Sequence, residues 1–240
     1  MVTFVLYDYL KQCSFGMEGR EIMKDSTNRG FWQRTAKLYA PFMKGSASLY
    51  DAIYTHCLPY LTPEMEVLEL ACGSGQFSFR LAERVRRGQF SFRLAERVRQ
   101  WRATDFSEKM VLEAQKRNGP QSLTFEVQDA TNLPYPAESF DAALIANALH
   151  IMPSPDKALE EIHRVLRPGG ILLAPTFLWK TGIRQKLGTR LMELAGFRVY
   201  HKWNAQEFQS YVEARGFTAL EQRVLGGGVR PLCCLIARKK

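Results

Sequence analysis

The stretch VLELACGSGQ, Val67 to Gln76, begins with four residues of strand character and then runs through Ala71-Cys72-Gly73-Ser74-Gly75 before helical periodicity resumes at Gln76. An apolar strand emptying into a turn of small residues lets a ligand lie against bare backbone, and the following helix would offer its free amides. Taken alone a G-x-G turn is weak evidence, because many strand-to-helix turns are glycine-rich for steric reasons only. Its meaning depends on the downstream pattern.

That pattern is an alternation. The sequence predicts a strand at Glu66–Leu70, a helix from Gln76, a strand at Arg102–Phe106, a helix at Glu108–Asn118, strands at Leu123–Gln128 and Phe140–Ala146, a helix at Pro155–Leu166 and a strand at Gly170–Phe177. TGIRQKLGTRLMELAG reads as an inserted helix, Asn204 as the cap of a last helix, and FTALEQRVL with RPLCCLIARK as a final antiparallel pair. Ser107 reads as a helix cap, and Pro168-Gly169-Gly170 as a turn. The pattern predicts a doubly wound, Rossmann-like α/β domain with a seven-stranded sheet, mostly parallel with an antiparallel C-terminal strand. Residues 23–62 read as cap helices broken near Pro41 and Gly45, 63–177 as the ligand-binding core, 178–203 as an insert and 204–240 as the closing helix and strand pair. Residues 1–22 read poorly as part of the domain, and Met23 is a second plausible start; mass spectrometry of the native protein would refute a start there if the mature terminus mapped to Met1.

The totals fit one globular domain: 240 residues, 46% hydrophobic and 24% charged. No run approaches the roughly 18 apolar residues of a membrane span, and the first residues lack a signal peptide's basic start and cleavage site, which points to a cytoplasmic protein with no membrane partner. The five cysteines show no C-x-x-C spacing, so neither a disulfide framework nor a zinc site is expected, and no metal. The net charge of +9 suggests nucleic acid at first sight. Much of it has another source: GQFSFRLAERVR occurs twice, at 75–86 and 88–99, with Arg87 between, and the second unit brings Arg87, Arg93, Arg97 and Arg99 against Glu96 alone. With that tandem duplication set aside, a nucleic-acid partner is not favoured.

Only the first copy follows Cys72-Gly73-Ser74, so only its helix can present amides to a ligand held by the turn. One helix continued through both copies would rotate its apolar stripe by about 220°. The second copy, Gly88–Gln100, is therefore expected to leave the domain as an extension.

Two carboxylates join the glycine turn. Asp105 ends the second strand, where an acid can accept both hydroxyls of a ribose, with a helix cap as the plainer alternative. Asp129-Ala130 follow the third strand, where a carboxylate and an amide can read an adenine edge; a turn-forming aspartate is the alternative there. All three features fall at carboxyl ends of adjacent strands, the ligand side of such sheets.

With VLELACGSG, ATDFSEKM, QDATNLPYPAESFDAALIANALHIM and EIHRVLRPGGILL in this order, the chain from about Phe31 onward resembles the class I S-adenosylmethionine-dependent methyltransferases. Within them it is similar to the small-molecule enzymes related to ubiquinone/menaquinone C-methyltransferases. The resemblance implies S-adenosylmethionine as cofactor, with Glu69, Gly73 and Gly75 near its methionine part, Asp105 on the ribose, Phe106 on the adenine face, Asp129 and Ala130 at the adenine edge, and Asn147 beside the sulfonium. Ala71 stands where these enzymes often have their first glycine, a change the methyl group is expected to permit. A nicotinamide-dependent oxidoreductase uses a similar turn and acid, but Phe77 and Ser78 stand where a third glycine belongs. A non-catalytic cofactor-binding protein is the other alternative.

Methyl transfer from a sulfonium needs alignment of donor and acceptor more than acid–base help. His150 is the candidate base if the acceptor must lose a proton, with a backbone-bonded loop histidine as the alternative reading. Trp32, Tyr39, Phe42 and Met43 of the cap, with the insert, are candidates for a pocket that takes a small-molecule acceptor.

Overall fold

The computed structural model describes residues 28–43, 47–75, 99–117, 119, 121–179, 197–226 and 231–240. The expectations for the N-terminal extension, the first-copy helix and the inserted helix fall on residues outside these.

Helices α1 (Arg29–Met43) and α2 (Ala47–Cys57) precede strand β1 (Glu66–Leu70). Then come β2 (Gln100–Asp105), α3 (Glu108–Gln115), β3 (Leu123–Val127), β4 (Phe140–Ile145), α4 (Pro155–Val165), β5 (Leu166–Phe177), α5 (Ala205–Glu213), β6 (Phe217–Leu225) and β7 (Leu232–Lys239). The seven strands form one sheet in the order β3-β2-β1-β4-β5-β7-β6. Pairings from β3 through β5 are parallel, and β7 runs antiparallel to both β5 and β6. The doubly wound sheet with its antiparallel C-terminal strand is as the sequence indicates. Strand order reverses at β1, which lies between β2 and β4, and that reversal opens a crevice at the strands' carboxyl ends.

Apolar cores lie on both faces, which is why the central strands read as nearly unbroken hydrophobic runs. One face packs Leu68, Leu70, Ala143, Ile145, Leu172 and Ala174 with Ala158, Leu159, Ile162 and Val165 of α4 and Phe208 and Val212 of α5. On the other, Val67, Trp101, Ala103, Leu144 and Leu173 pack with Tyr50, Ile53 and Cys57 from α2. Cys57, Cys72, Cys233 and Cys234 are free and buried in these layers. Asn204 and Glu207 form a reciprocal capping box at α5, an arrangement worth about 1 kcal/mol.

Three local readings need correction. Ser107 occupies the cap position of α3 but makes no capping hydrogen bond: its buried hydroxyl has no partner, and the Met110 amide donates to the Ser107 carbonyl at 3.0 Å instead. Pro168-Gly169-Gly170 is not a connection between elements. Helix α4 ends at Val165, and β5 already begins at Leu166, carrying the triplet as an irregularity: Phe140 pairs with Leu166, yet Ala142 pairs with Ile171. Gly169 at φ 75° absorbs the extra length. Finally, the second repeat copy does not leave the domain over its whole length. The Arg99 amide donates to the Met65 carbonyl at 3.0 Å, its guanidinium pairs with Glu66, and Gln100 opens β2 opposite Glu66.

Candidate functional site

At the end of β1 the chain makes a sharp turn. Ala71, Gly73 and Gly75 have φ of 53°, 57° and 75°, all in the left-handed region. Glycine adopts this freely; Ala71 does so at a cost of about 1 kcal/mol. The methyl group is accommodated but strained, a less benign change than the sequence suggests. Cross-strand bonds hold the turn: the Cys72 amide donates to the Thr104 carbonyl at 2.9 Å, and the Thr104 hydroxyl to the Glu69 carbonyl at 3.0 Å. Glu69, only 1% exposed, accepts from Trp101 Nε1 at 2.7 Å, which gives its buried carboxylate a fixed direction beneath the turn.

Asp105 joins turn and sheet. Its Oδ2 accepts from the Gly73 amide and its Oδ1 from the Ser107 amide, both at 2.9 Å. Burial pushes its pKa up from 3.8 to about 6, against the two amide bonds, which act in the other direction. Each carboxylate oxygen has two lone-pair directions, so one per oxygen stays available to a diol such as a ribose. Phe106 follows, half-buried.

Asp129 is exposed and curls into its own turn: Oδ1 accepts from the amide and the hydroxyl of Thr131, each at 2.8 Å. The plainer reading of this residue describes its Oδ1; Ala130 beside it is buried. The loop beyond is fastened by Arg164, which donates to the Leu133 and Tyr135 carbonyls at 2.9 and 2.7 Å while Glu161 receives the Leu133 amide. Arg164 in turn holds the Glu161 carboxyl below its usual range.

After β4, Asn147 takes φ 55° and donates its amide to the Pro175 carbonyl at 2.7 Å, while its Oδ1 is buried with no hydrogen-bond partner. Asn147 thus combines a left-handed backbone with an unpaired acceptor at the carboxyl end of a central strand. His150, three residues on, is buried; its Nδ1 is 3.0 Å from Thr176 Oγ1 and its ring meets Phe177 edge-on. The histidine is thus anchored to the end of β5, and its carbonyl receives the Tyr200 and His201 amides, each at 3.0 Å.

Asn28 is the residue that sequence reasoning misses. Buried at the start of α1, it donates from Nδ2 to the Ile151 and Arg198 carbonyls at 2.9 Å and accepts the Arg198 amide on Oδ1 at 2.8 Å. One side chain therefore joins the cap to the His150 segment and to the C-terminal part of the insert. Trp32 lies one turn along, edge-on to Phe31 and Phe197 at 5.0 and 5.7 Å. Tyr39, Phe42 and Met43 continue α1, but their side chains are outside the described residues.

The glycine turn, the acid on β2 and the loops after β3 and β4 thus converge on one crevice. Residues 68–174 match the methyltransferase domain family. A demethylmenaquinone methyltransferase of Clavibacter sepedonicus is 31% identical over 77% of this chain and 78% of its own length. The chain belongs to the class I S-adenosylmethionine-dependent methyltransferases. The cofactor of this methyltransferase is accordingly S-adenosylmethionine. A ubiquinone/menaquinone biosynthesis C-methyltransferase of Rickettsia akari is 35% identical over 46% of this chain, and an uncharacterised chloroplastic methyltransferase of Arabidopsis thaliana 32% over 65%. The chain spans 44% of the length of each of those two relatives. Among solved structures, an S-adenosylmethionine-dependent methyltransferase of Mesorhizobium loti superposes with TM-score 0.60 at 20% identity, covering 79% of this chain and 96% of the other. The [4+2]-cyclase SpnF also matches with TM-score 0.60, at 24% identity over 82% of each chain. These likenesses carry the fold; the second shows that the same sheet supports other chemistry.

Proposed function

We propose that the protein transfers the methyl group of S-adenosylmethionine to a small hydroxylated aromatic acceptor. The observation that carries the transfer is Asp105, whose two oxygens each accept one backbone amide, from Gly73 and Ser107, and so each keep one lone pair for a diol. In this reading Asp105 receives the ribose hydroxyls and Phe106 lies on the adenine. The Asp129 carboxylate, through Oδ2, and the Ala130 amide read the adenine edge. Glu69 and the turn at Ala71, Gly73 and Gly75 hold the methionine part. Asn147 Oδ1, which is unpaired and buried, faces the sulfonium. The bound cofactor supplies an electrophilic methyl; the chain supplies alignment and exclusion of water.

The names of the Clavibacter and Rickettsia relatives and the aromatic group of Phe31, Trp32 and Phe197 support an aromatic acceptor. Tyr39, Phe42 and Met43 are assigned to the acceptor pocket from the sequence pattern alone. His150 acts as the base when its Nδ1–H donates to Thr176, which leaves Nε2 as the acceptor nitrogen. The test is transfer of labelled methyl from S-adenosylmethionine to demethylmenaquinol beside a panel of phenols, amines and carboxylic acids. Labelled product from demethylmenaquinol or a phenol, lost in His150→Gln without change in cofactor affinity, supports both assignments. Product from an amine or acid only would refute the aromatic acceptor. Cofactor binding with no turnover across the panel favours the second reading, a binding protein or different catalyst on this fold, to which the SpnF likeness gives substance.

A further inference from the structure

At the opposite edge of the sheet from β3, helix α2 and strand β6 enclose a groove of about 560 Å³, lined by Asp51, Thr55, His56, Tyr60, Glu221 and Arg223 with Ala52, Pro59 and Leu225 as its apolar part. The sequence explains its construction. Tyr50, Ile53 and Cys57, at three- and four-residue spacing, bury one stripe of α2 against the sheet, with Cys57 Sγ 3.9 Å from Cys234 Sγ. That stripe leaves the next face, with Asp51, Ala52, Thr55 and His56, over the groove. In β6 the register slips between Ala219 and Glu221, so Leu220 is an extra residue, and Glu221, Arg223 and Leu225 then share one face by alternation.

The polar groups are organised around Glu221. Its Oε2 accepts from the Tyr60 hydroxyl at 2.9 Å, its Oε1 from Arg223 at 3.3 Å, and the same Oε1 lies 3.7 Å from His56 Nε2. That last separation is too long for a hydrogen bond. His56 is 8% exposed, and its Nε2 has no hydrogen-bond partner. Burial holds the imidazole below its usual pKa, with Glu221 opposing and Arg223 reinforcing. A single donor atom at about 2.8 Å from both Nε2 and Oε1 would close the gap. An ammonium group does this and has a third proton for the Tyr60 oxygen. A metal ion is a poorer occupant: among the described residues no group of three suitable side chains converges, and the Arg223 cation stands beside the carboxylate. Arg223 is 61% exposed, and its planar fork of donors suits a carboxylate.

We propose that this groove is a second ligand site, which takes a small amino-acid-like zwitterion with its ammonium group between His56 and Glu221 and its carboxylate on Arg223. The site is independent of the methyl-transfer reading. The groove is larger than the zwitterionic head alone, and its apolar residues leave room for a side chain. The test is a titration of the full chain, with histidine ring carbons labelled, by L-alanine, by ethylamine, which lacks the carboxylate, and by propionate, which lacks the ammonium group. The expected result is a saturable shift of the His56 resonance with alanine and binding at least about tenfold weaker with either analogue, since each forfeits a charge-assisted contact. Arg223→Gln, at an exposed position, should weaken alanine about tenfold by the His56 shift, and His56→Gln should weaken it about tenfold by calorimetry, while S-adenosylmethionine affinity is unchanged. The proposal is overturned if none of the three shifts His56, if ethylamine or propionate binds as well as alanine, or if Arg223→Gln leaves alanine affinity unaltered.

Discussion

Replacing Asp105 by Asn separates cofactor binding from fold stability, and the structure gives both magnitudes. Burial raises the Asp105 carboxyl from 3.8 to about 6. A group raised in this way keeps its proton in the folded chain where the unfolded chain has lost it. Its contribution is therefore present below about pH 4 and is lost as pH rises through about 6. Holding the charge at neutral pH costs the free protein about 3 kcal/mol, at about 1.4 kcal/mol per pH unit over that interval. Asn removes this cost but turns its amide nitrogen toward either the Gly73 or the Ser107 N–H, orphaning one donor at about 1–3 kcal/mol. The two effects nearly offset, so the melting temperature of the free protein at neutral pH should barely move. Cofactor affinity has no such compensation. A ribose hydroxyl loses a charged acceptor, worth about 2 kcal/mol or roughly thirtyfold in Kd. Wild-type affinity should fall as pH drops below about 6, and the pH dependence should flatten in the variant. Calorimetric titration with S-adenosylmethionine from about pH 5 to 8, with thermal denaturation alongside, measures both. A Kd within about threefold of wild type at pH 8 would refute the ribose assignment.

Ala71→Gly should raise stability by about 1 kcal/mol, because a glycine relieves the left-handed strain at φ 53°; a lowered denaturation midpoint would contradict this. Asn28→Ala should cost about 3 kcal/mol, since three buried backbone groups lose their partner at once, and hydrogen exchange should rise at Ile151 and Arg198 before it rises in the sheet. Uniform acceleration would show that Asn28 does not join those segments. Deleting Arg87–Arg99 places Arg86 directly before Gln100, so an arginine again faces Glu66 at the entry to β2. That variant should melt higher and bind cofactor with unchanged affinity; lost binding would show that the second copy supplies the helix after the turn.

The parts legible in the sequence are those governed by local pattern. The strand alternation, the Asn204 cap and the glycine turn all rest on neighbours within a few residues, and each lies where the pattern indicates. The Pro168-Gly169-Gly170 triplet is ambiguous in sequence because a turn signal and a bulge signal are the same residues, and only the partner strand β4 distinguishes them. Ser107 has the local pattern of a cap, but the Met110 amide that its hydroxyl would receive donates to its carbonyl instead. Asn28 has no local signal at all: its partners are 123 and 170 residues away. His150 is recognisable as a candidate, but its anchoring by Thr176 depends on β5 lying beside β4.

The crevice formed by the turn at Gly73 and by Asp105 must bind S-adenosylmethionine even though thirteen extra residues separate Gly75 from β2. The most direct measurement is calorimetric titration of the full 240-residue chain with S-adenosylmethionine and with its demethylated product at pH 8. Saturable binding of both with one molecule per chain, weakened about thirtyfold for both in Asp105→Asn, is the predicted result. No saturable heat with either ligand from a protein that melts cooperatively would contradict it.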